Sequence, residues 1–232
     1  MNILAIEAST ETGSFAVFGD KGLLGELTIN CETTHSEKLL PGIKSLMDSI
    51  NITFDDLKAV AVSVGPGSFT ALRIAISTAK GIAFSSKLPL IGVSTLLALA
   101  ERVMDLNSVI CPFLDARKKE VYFALYKRSA DLGLLKVKDE AVTTVEEMCE
   151  KIKSRTIFLG NGVEVYGEKV KSILKKKAIF VPKALRLPSA STVAEIGYKM
   201  LINGDYQKDL SSIRPIYLRS SDAEMGLVKK GH

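Results

Sequence analysis

Histidine is almost missing from this chain. Of its 232 residues only His35 and His232 carry an imidazole, and His232 is the last residue. His35 stands in "TTHSEKLLP" with no second ligand one helical turn on, so a histidine zinc site has no components, nor has a Ser-His-Asp or Cys-His set. It reads as a helix-start residue, and no bound metal or peptidase chemistry is expected. Cysteine is scarce as well. Cys31, Cys111 and Cys149 are odd in number, far apart and without CxxC spacing. That excludes a disulfide frame and suits small buried thiols in a reducing cytosol. No apolar run approaches the roughly 18 residues that a membrane span requires. The opening "MNILAIEAST" lacks a basic n-region and holds Glu7 inside its apolar stretch, so no secretory leader is expected either.

What is present suits an ordinary globular core, with 47% hydrophobic and 25% charged residues. The 31 Lys and Arg against 26 Asp and Glu permit a nucleic-acid partner without requiring one. The order of patterns along the chain says more. "NILAIEAS", "GSFAVFGD" and "KGLLGELTIN" are β-rich runs parted by turn residues, as in an antiparallel meander. "HSEKLLPGIKSLMDSI" places Leu39, Leu40, Ile43, Leu46, Met47 and Ile50 on one helical stripe. The unbroken apolar run "KAVAVSV" suits a parallel strand covered on both faces. A helix over "FTALRIAISTAKGIAF", a strand "LPLIGV" and a helix "STLLALAERV" follow.

The second half repeats that order. "VICPFLDA", "EVYFALYK" and "GLLKVKDEA" supply strands, "TVEEMCEKI" a helix, "RTIFLG" a strand, "VEVYGEKVKSIL" a helix and "KAIFV" a strand. A last helix over "STVAEIGYKMLING" ends at Asn203-Gly204. Two β-β-β-α-β-α-β-α halves predict an α/β protein of two lobes with mixed sheets. Residues 1–104 form the first lobe and 105–188 a smaller second one. Residues 189–232 form a C-terminal helix and tail that pack back on the first lobe.

A doubled order of this kind resembles the actin-like ATPase (ASKHA) superfamily. A closer resemblance rests on "ILAIEAST", "HSEKLLPGI", "VGPGSFTALRIAISTAKGIA", "LPLIGVSTLLALA", "LDARKKEVYFALY", "FLGNGVEVYG" and "RPIYLR". Together these are similar to the bacterial TsaB (YeaZ) family, from Ile3 to Arg219. The resemblance implies a non-catalytic subunit in the synthesis of threonylcarbamoyladenosine on tRNA, acting in the cytoplasm. Its implied partners are the catalytic paralogue TsaD, the P-loop ATPase TsaE, a second copy of itself in isolation, and tRNA through the complex. The family's first strand commonly ends in Asp-Thr-Ser, where this chain has Glu7-Ala8-Ser9.

The turn Gly65-Pro66-Gly67-Ser68 invites comparison with phosphate loops. It fails the P-loop pattern, having no second Gly-Lys at the required spacing, and fails GxGxxG because Thr70 fills the third glycine position. The plainer reading is a tight strand-to-helix turn, capped by Ser68 or Thr70, that needs glycine for backbone freedom. The sharper reading is a weak nucleotide site at Ser9, Thr10, Gly65, Gly67 and Ser68, with the helix dipole favouring an anion. No tightly bound cofactor is expected, with ATP or ADP at the partner interface as the candidate. Glu7 is the one carboxylate on the first strand that could orient a nucleophile. Asp115 lies near the place of a second acidic loop, or simply caps the turn before Arg117, Lys118 and Lys119. The rival to an accessory subunit is therefore an autonomous kinase or ATPase of the same fold.

Two surfaces remain. On a helical wheel Thr70, Arg73, Ser77 and Lys80 share one narrow polar strip, while the rest of that helix is apolar or small. Either the helix is buried by its neighbours, or it pairs with a partner, as the resemblance implies for both early helices. The interface residues would then be His35, Leu39, Ile43, Phe69, Arg73, Ile76, Ser77 and Lys80, with Ala71, Ala75 and Ala79 permitting close approach. Finally, Lys169, Lys171, Lys175, Lys176, Lys177, Lys183 and Arg186 could follow a tRNA backbone. Lysines at a solvated helix end explain them as well.

Overall fold

The computed structural model describes residues 1–30, 35–131, 133–206 and 209–219. Cys31 and His232 lie outside the described residues, as does the side chain of His35. The first half runs β1 (Asn2–Glu7), β2 (Thr12–Gly19), β3 (Gly22–Asn30), α1 (His35–Ser49), β4 (Leu57–Gly65), α2 (Phe69–Ser85), β5 (Leu90–Ser94) and α3 (Thr95–Glu101). The second half runs β6 (Val109–Asp115), β7 (Glu120–Ser129), β8 (Gly133–Thr144), α4 (Val145–Glu150), β9 (Thr156–Leu159), α5 (Gly162–Leu174), β10 (Ala178–Phe180) and α6 (Ala190–Asn203). The sheets have the orders β3-β2-β1-β4-β5 and β10-β9-β6-β7-β8, so the two halves share one topology. In each sheet the meander pairs antiparallel, and the strands that follow a helix pair parallel. This is the two-lobed actin-like architecture that the order of patterns predicted.

Parallel strands need cover on both faces, which explains why β1 and β4 are almost wholly apolar. One face of the first sheet presents Leu4, Ile6, Val60 and Val62 to Leu39, Ile43 and Leu46 of α1 and to Ala75 and Ala79 of α2. The opposite face presents Ile3, Ala5, Ala59 and Ala61 to Val193, Ala194 and Ile196 of α6. Helix α3 instead packs Leu96, Leu99 and Ala100 against Ile110, Leu114 and Tyr126 of the second sheet. Each half thus lends its last helix to the other half's sheet, and the two helices fill the space between the lobes. The bond from Arg128 Nη2 to Glu101 Oε2, at 2.6 Å, ties the end of α3 to β7.

Cys111 and Cys149 sit in the outer core of the second lobe beside Phe113, Phe158 and Met148. Burial raises both thiols above their ordinary range, Cys149 to about 11, so both stay neutral packing groups. Helix α6 stops at Gly204, whose φ of 77° supplies the left-handed cap expected from Asn203-Gly204. Among the described residues no helix is long and apolar enough to cross a membrane.

Candidate functional site

The carboxyl ends of β1 and β4 lie side by side, which brings the glycine turn onto the loop after β1. Contact is intimate there. A Cβ at Gly67 would stand 2.3 Å from the Ser9 carbonyl oxygen and 2.8 Å from Ser9 Cβ, so only glycine fits. Gly65 has φ of 109°, a backbone state that L side chains avoid. Ser68 N–H donates to the Ser9 carbonyl at 2.8 Å. Ser68 Oγ in turn accepts from Ala71 N–H at 3.5 Å, making Ser68, and not Thr70, the N-cap of α2. Thr10 is buried with its hydroxyl 3.2 Å from that of Thr12. Ser9, Thr10, Gly65, Gly67 and Ser68 therefore converge, but Ser9 and Gly67 meet in van der Waals contact. The Ser68 N–H that could have faced an anion is already used.

Glu7 ends β1 and is 1% exposed. Its Oε1 accepts from both the N–H and the hydroxyl of Ser9, each at 2.6 Å. Burial nevertheless raises the carboxyl pKa, outweighing what the Ser9 bonds do to lower it. Ser63 Oγ on the adjoining strand faces the same carboxyl and also acts to lower its pKa, although neither it nor Glu7 Oε2 has a hydrogen bond of ordinary geometry among the described residues. One oxygen of this carboxyl is thus folded back on its own loop, where it holds the position of Ser9. Asp115 has a similar duty at the end of β6. Its Oδ1 accepts from Arg117 N–H at 2.9 Å and from Tyr166 Oη at 3.2 Å. It thereby caps a turn in which Arg117, Lys118 and Lys119 have φ of 63°, 53° and 66°.

Residues 213–219 cross this region, a feature that sequence reasoning did not resolve. Ile213 enters the core beside α2. Ile216 N–H donates to the Val64 carbonyl at 2.7 Å, close against Gly65. The Tyr217 ring stacks on Phe69 with centroids 4.4 Å apart. Arg219 Nη1 then reaches the second lobe, bonding Ala116 O at 3.3 Å and Glu120 Oε2 at 3.0 Å. The only signal in the sequence was "RPIYLR" itself, legible as a motif but not as a strap from β4 to the β6–β7 turn.

Helix α2 is two-sided. Ala71, Leu72, Ala75, Ile76, Ala79, Ile82 and Ala83 are buried. Thr70, Arg73, Ser77, Gly81 and Phe84 are exposed, Phe84 to 78%, and Lys80 lies at the margin. This corrects several expectations. Leu39, Ile43 and Ile76 belong to the chain's own core and present no surface to a partner. Ala71, Ala75 and Ala79 permit close approach to the chain's own core, because the 3.6-residue period turns that row inward. Phe69 is partly covered by Tyr217. Arg73 and Ser77 are the expected residues that are exposed on the outer face. Among the basic residues near α5, Lys169 pairs with Glu146 and Arg186 with Glu164, while Lys171, Lys175, Lys176, Lys177 and Lys183 are exposed.

Known proteins align with this arrangement along nearly its whole length. The family model described as "TsaD: tRNA N6-adenosine threonylcarbamoyltransferase" matches residues 23–227. The tRNA threonylcarbamoyladenosine biosynthesis protein TsaB of Bacillus subtilis is 29% identical over 97% of this chain and 96% of its own. The TsaB of Haemophilus influenzae is 30% identical, covering 95% of this chain and 94% of its own. The solved structure of YeaZ from Pseudomonas aeruginosa superposes with a TM-score of 0.78 at 26% identity, over 94% of this chain and 99% of that one. The chain belongs to the TsaB (YeaZ) family, whose named members are tRNA threonylcarbamoyladenosine biosynthesis proteins.

Proposed function

We propose that this chain is a non-catalytic subunit that docks and supports a TsaD-type enzyme during threonylcarbamoyl transfer to adenosine in tRNA. The observation that carries the reading is the contrast between the cleft and α2. At the cleft, Gly67 sits on Ser9, Glu7 is spent on Ser9, and residues 213–219 lie over the turn. On α2, an exposed row runs from Thr70 through Arg73, Ser77 and Gly81 to Phe84. We assign this row, which ends in the exposed Phe84 ring, as the docking face. The same face would pair with a second copy when the partner is absent. A TsaE-type P-loop ATPase completes the assembly, tRNA is met through the complex, and the work is done in the cytoplasm.

Nucleotide, on this reading, binds weakly at Ser9, Thr10, Gly65, Gly67 and Ser68, and more strongly with the partner present. The turn offers a helix dipole but no lysine to meet a phosphate. An autonomous kinase or ATPase is disfavoured because the Glu7 carboxyl, the candidate on the first strand, is buried with one oxygen turned onto its own loop. The deciding experiment combines this chain with TsaD-type and TsaE-type subunits and measures modified adenosine in tRNA, with ATP turnover by the chain alone as control. Modification that needs this chain, without turnover by it alone, supports the reading. Steady hydrolysis by the isolated chain would overturn it.

A further inference from the structure

We infer that Arg73 is a pre-oriented anchor for a carboxylate on the partner's docking helix, and that Tyr217 is the residue that positions it. The inference rests on the docking reading above and adds the partner's chemistry. The Arg73 guanidinium carbon lies 3.8 Å from the Phe69 ring centroid and 5.7 Å from that of Tyr217. Its Nε donates to Tyr217 Oη at 2.9 Å across 144 positions of sequence. Ring faces attract the cation and the hydroxyl fixes its rotation, so an exposed arginine is held in one orientation. Tyr217 is itself secured, by Ile216 to β4 on one side and by Arg219 to the β6–β7 turn on the other.

Arg73 forms no ion pair among the described residues. Its two Nη groups make the fork that matches a carboxylate, and holding the fork beforehand removes part of the ordering cost of binding. Charge then selects the occupant. Helix α2 contains Arg73 and Lys80 and no acidic residue. Lys80 lies at the margin and has Asp209 near it, so the uncompensated charge of the row is Arg73, and in a two-fold α2–α2 crossing it would face the same row of a second copy with no acid to meet it. A partner helix bearing Asp or Glu on its docking face is therefore the preferred occupant over a second copy. Self-association should tighten as salt screens the repulsion, whereas capture of the acidic partner should weaken.

The test titrates a purified TsaD-type subunit with the wild-type chain, Arg73→Ala, Arg73→Lys, Tyr217→Phe, Tyr217→Ala and the Arg73→Ala/Tyr217→Ala double variant, at low salt and at about 0.5 M. Self-association is followed by light scattering in the same buffers, and unfolding curves check that each variant folds. Arg73→Ala should weaken capture by about thirtyfold or more and flatten its salt dependence. Arg73→Lys should recover only part, since an ammonium lacks the fork. Tyr217→Phe should lose about threefold and Tyr217→Ala about tenfold. The double variant should bind no worse than Arg73→Ala, because Tyr217 acts through Arg73. If Ser77→Arg abolishes capture but Arg73→Ala does not, the anchor is wrong and the docking reading stands. Full additivity of the two alanine variants would remove the positioning role. Self-association that weakens with salt would make a second copy the occupant and overturn the charge argument. Capture indifferent to Ser77→Arg would sink the docking reading, and the anchor with it.

Discussion

Two glycine-to-alanine substitutions, fourteen residues apart, should shift stability in opposite directions. At Gly67 the added methyl would stand 2.3 Å from the Ser9 carbonyl oxygen. Ser9 cannot easily retreat, since Glu7 Oε1 holds its N–H and hydroxyl at 2.6 Å and its carbonyl accepts from Ser68. Overpacking costs about 1–3 kcal/mol, and losing one of those bonds adds about 1 kcal/mol. The total of about 2–4 kcal/mol should lower Tm by roughly 5–15 °C in a chain of this size. At Gly81 nothing lies within 4 Å of the added methyl, and the site is exposed in mid-helix. There the relief of backbone entropy should stabilise the monomer by about 0.5–1 kcal/mol, raising Tm by roughly 1–4 °C. Calorimetric unfolding of both variants beside wild type decides the matter. Gly67→Ala melting within about 1 °C of wild type would mean that the turn does not rest on Ser9. The turn would then leave more room for phosphate than this contact allows, and the steric reason for weak nucleotide binding would fail. Gly81→Ala should in addition reduce partner capture, because its methyl projects from the docking row.

Ser77→Arg should leave a cooperative monomer melt, since Ser77 is exposed, yet abolish self-association and capture of a TsaD-type subunit. An unpaired charge forced into a helix crossing costs about 3–5 kcal/mol, and size exclusion with a pull-down reads the result. Undiminished complexes would place the interface elsewhere. Glu7→Gln should change the pH dependence of folding. Because burial raises the Glu7 carboxyl above its ordinary 4.5, the native state holds the proton longer than the unfolded chain does. Wild-type stability therefore falls as pH rises from about 4.5 through the raised value, by on the order of 1.4 kcal/mol per pH unit inside that window. Glu7→Gln, neutral at every pH, should lose that slope, and denaturant unfolding with the same slope in both proteins would refute the burial argument. Calorimetry should find ATP binding weak for the isolated chain and stronger with the partner; tight binding together with turnover would favour the kinase reading.

Much of the fold is written in local periodicity. The switch from alternating or unbroken apolar runs to three-to-four-residue spacing marks β1 to α6 in order, because half-covered strands, strands covered on both faces and amphipathic helices each impose their own pattern on the chain. The two-sided character of α2 was legible for the same reason. Thr70, Arg73 and Ser77 fall on one strip of any α-helix, whatever surrounds it. The direction in which the remainder of that helix faces was not legible. Alanines at 71, 75 and 79 would serve a partner as readily as a sheet, and only the packing of α2 over β4 and β1 turns them inward. The chemistry of the turn was likewise undecided by residue type. Gly65, Gly67 and Ser68 would suit a phosphate cradle until β1 and β4 pair in a register that sets Gly67 on Ser9 and commits Glu7 to the same residue. Arg73 and Tyr217 lie 144 positions apart. No local pattern joins them, and their contact exists because the chain after α6 returns along the carboxyl end of β4, where tertiary packing alone fixes its course.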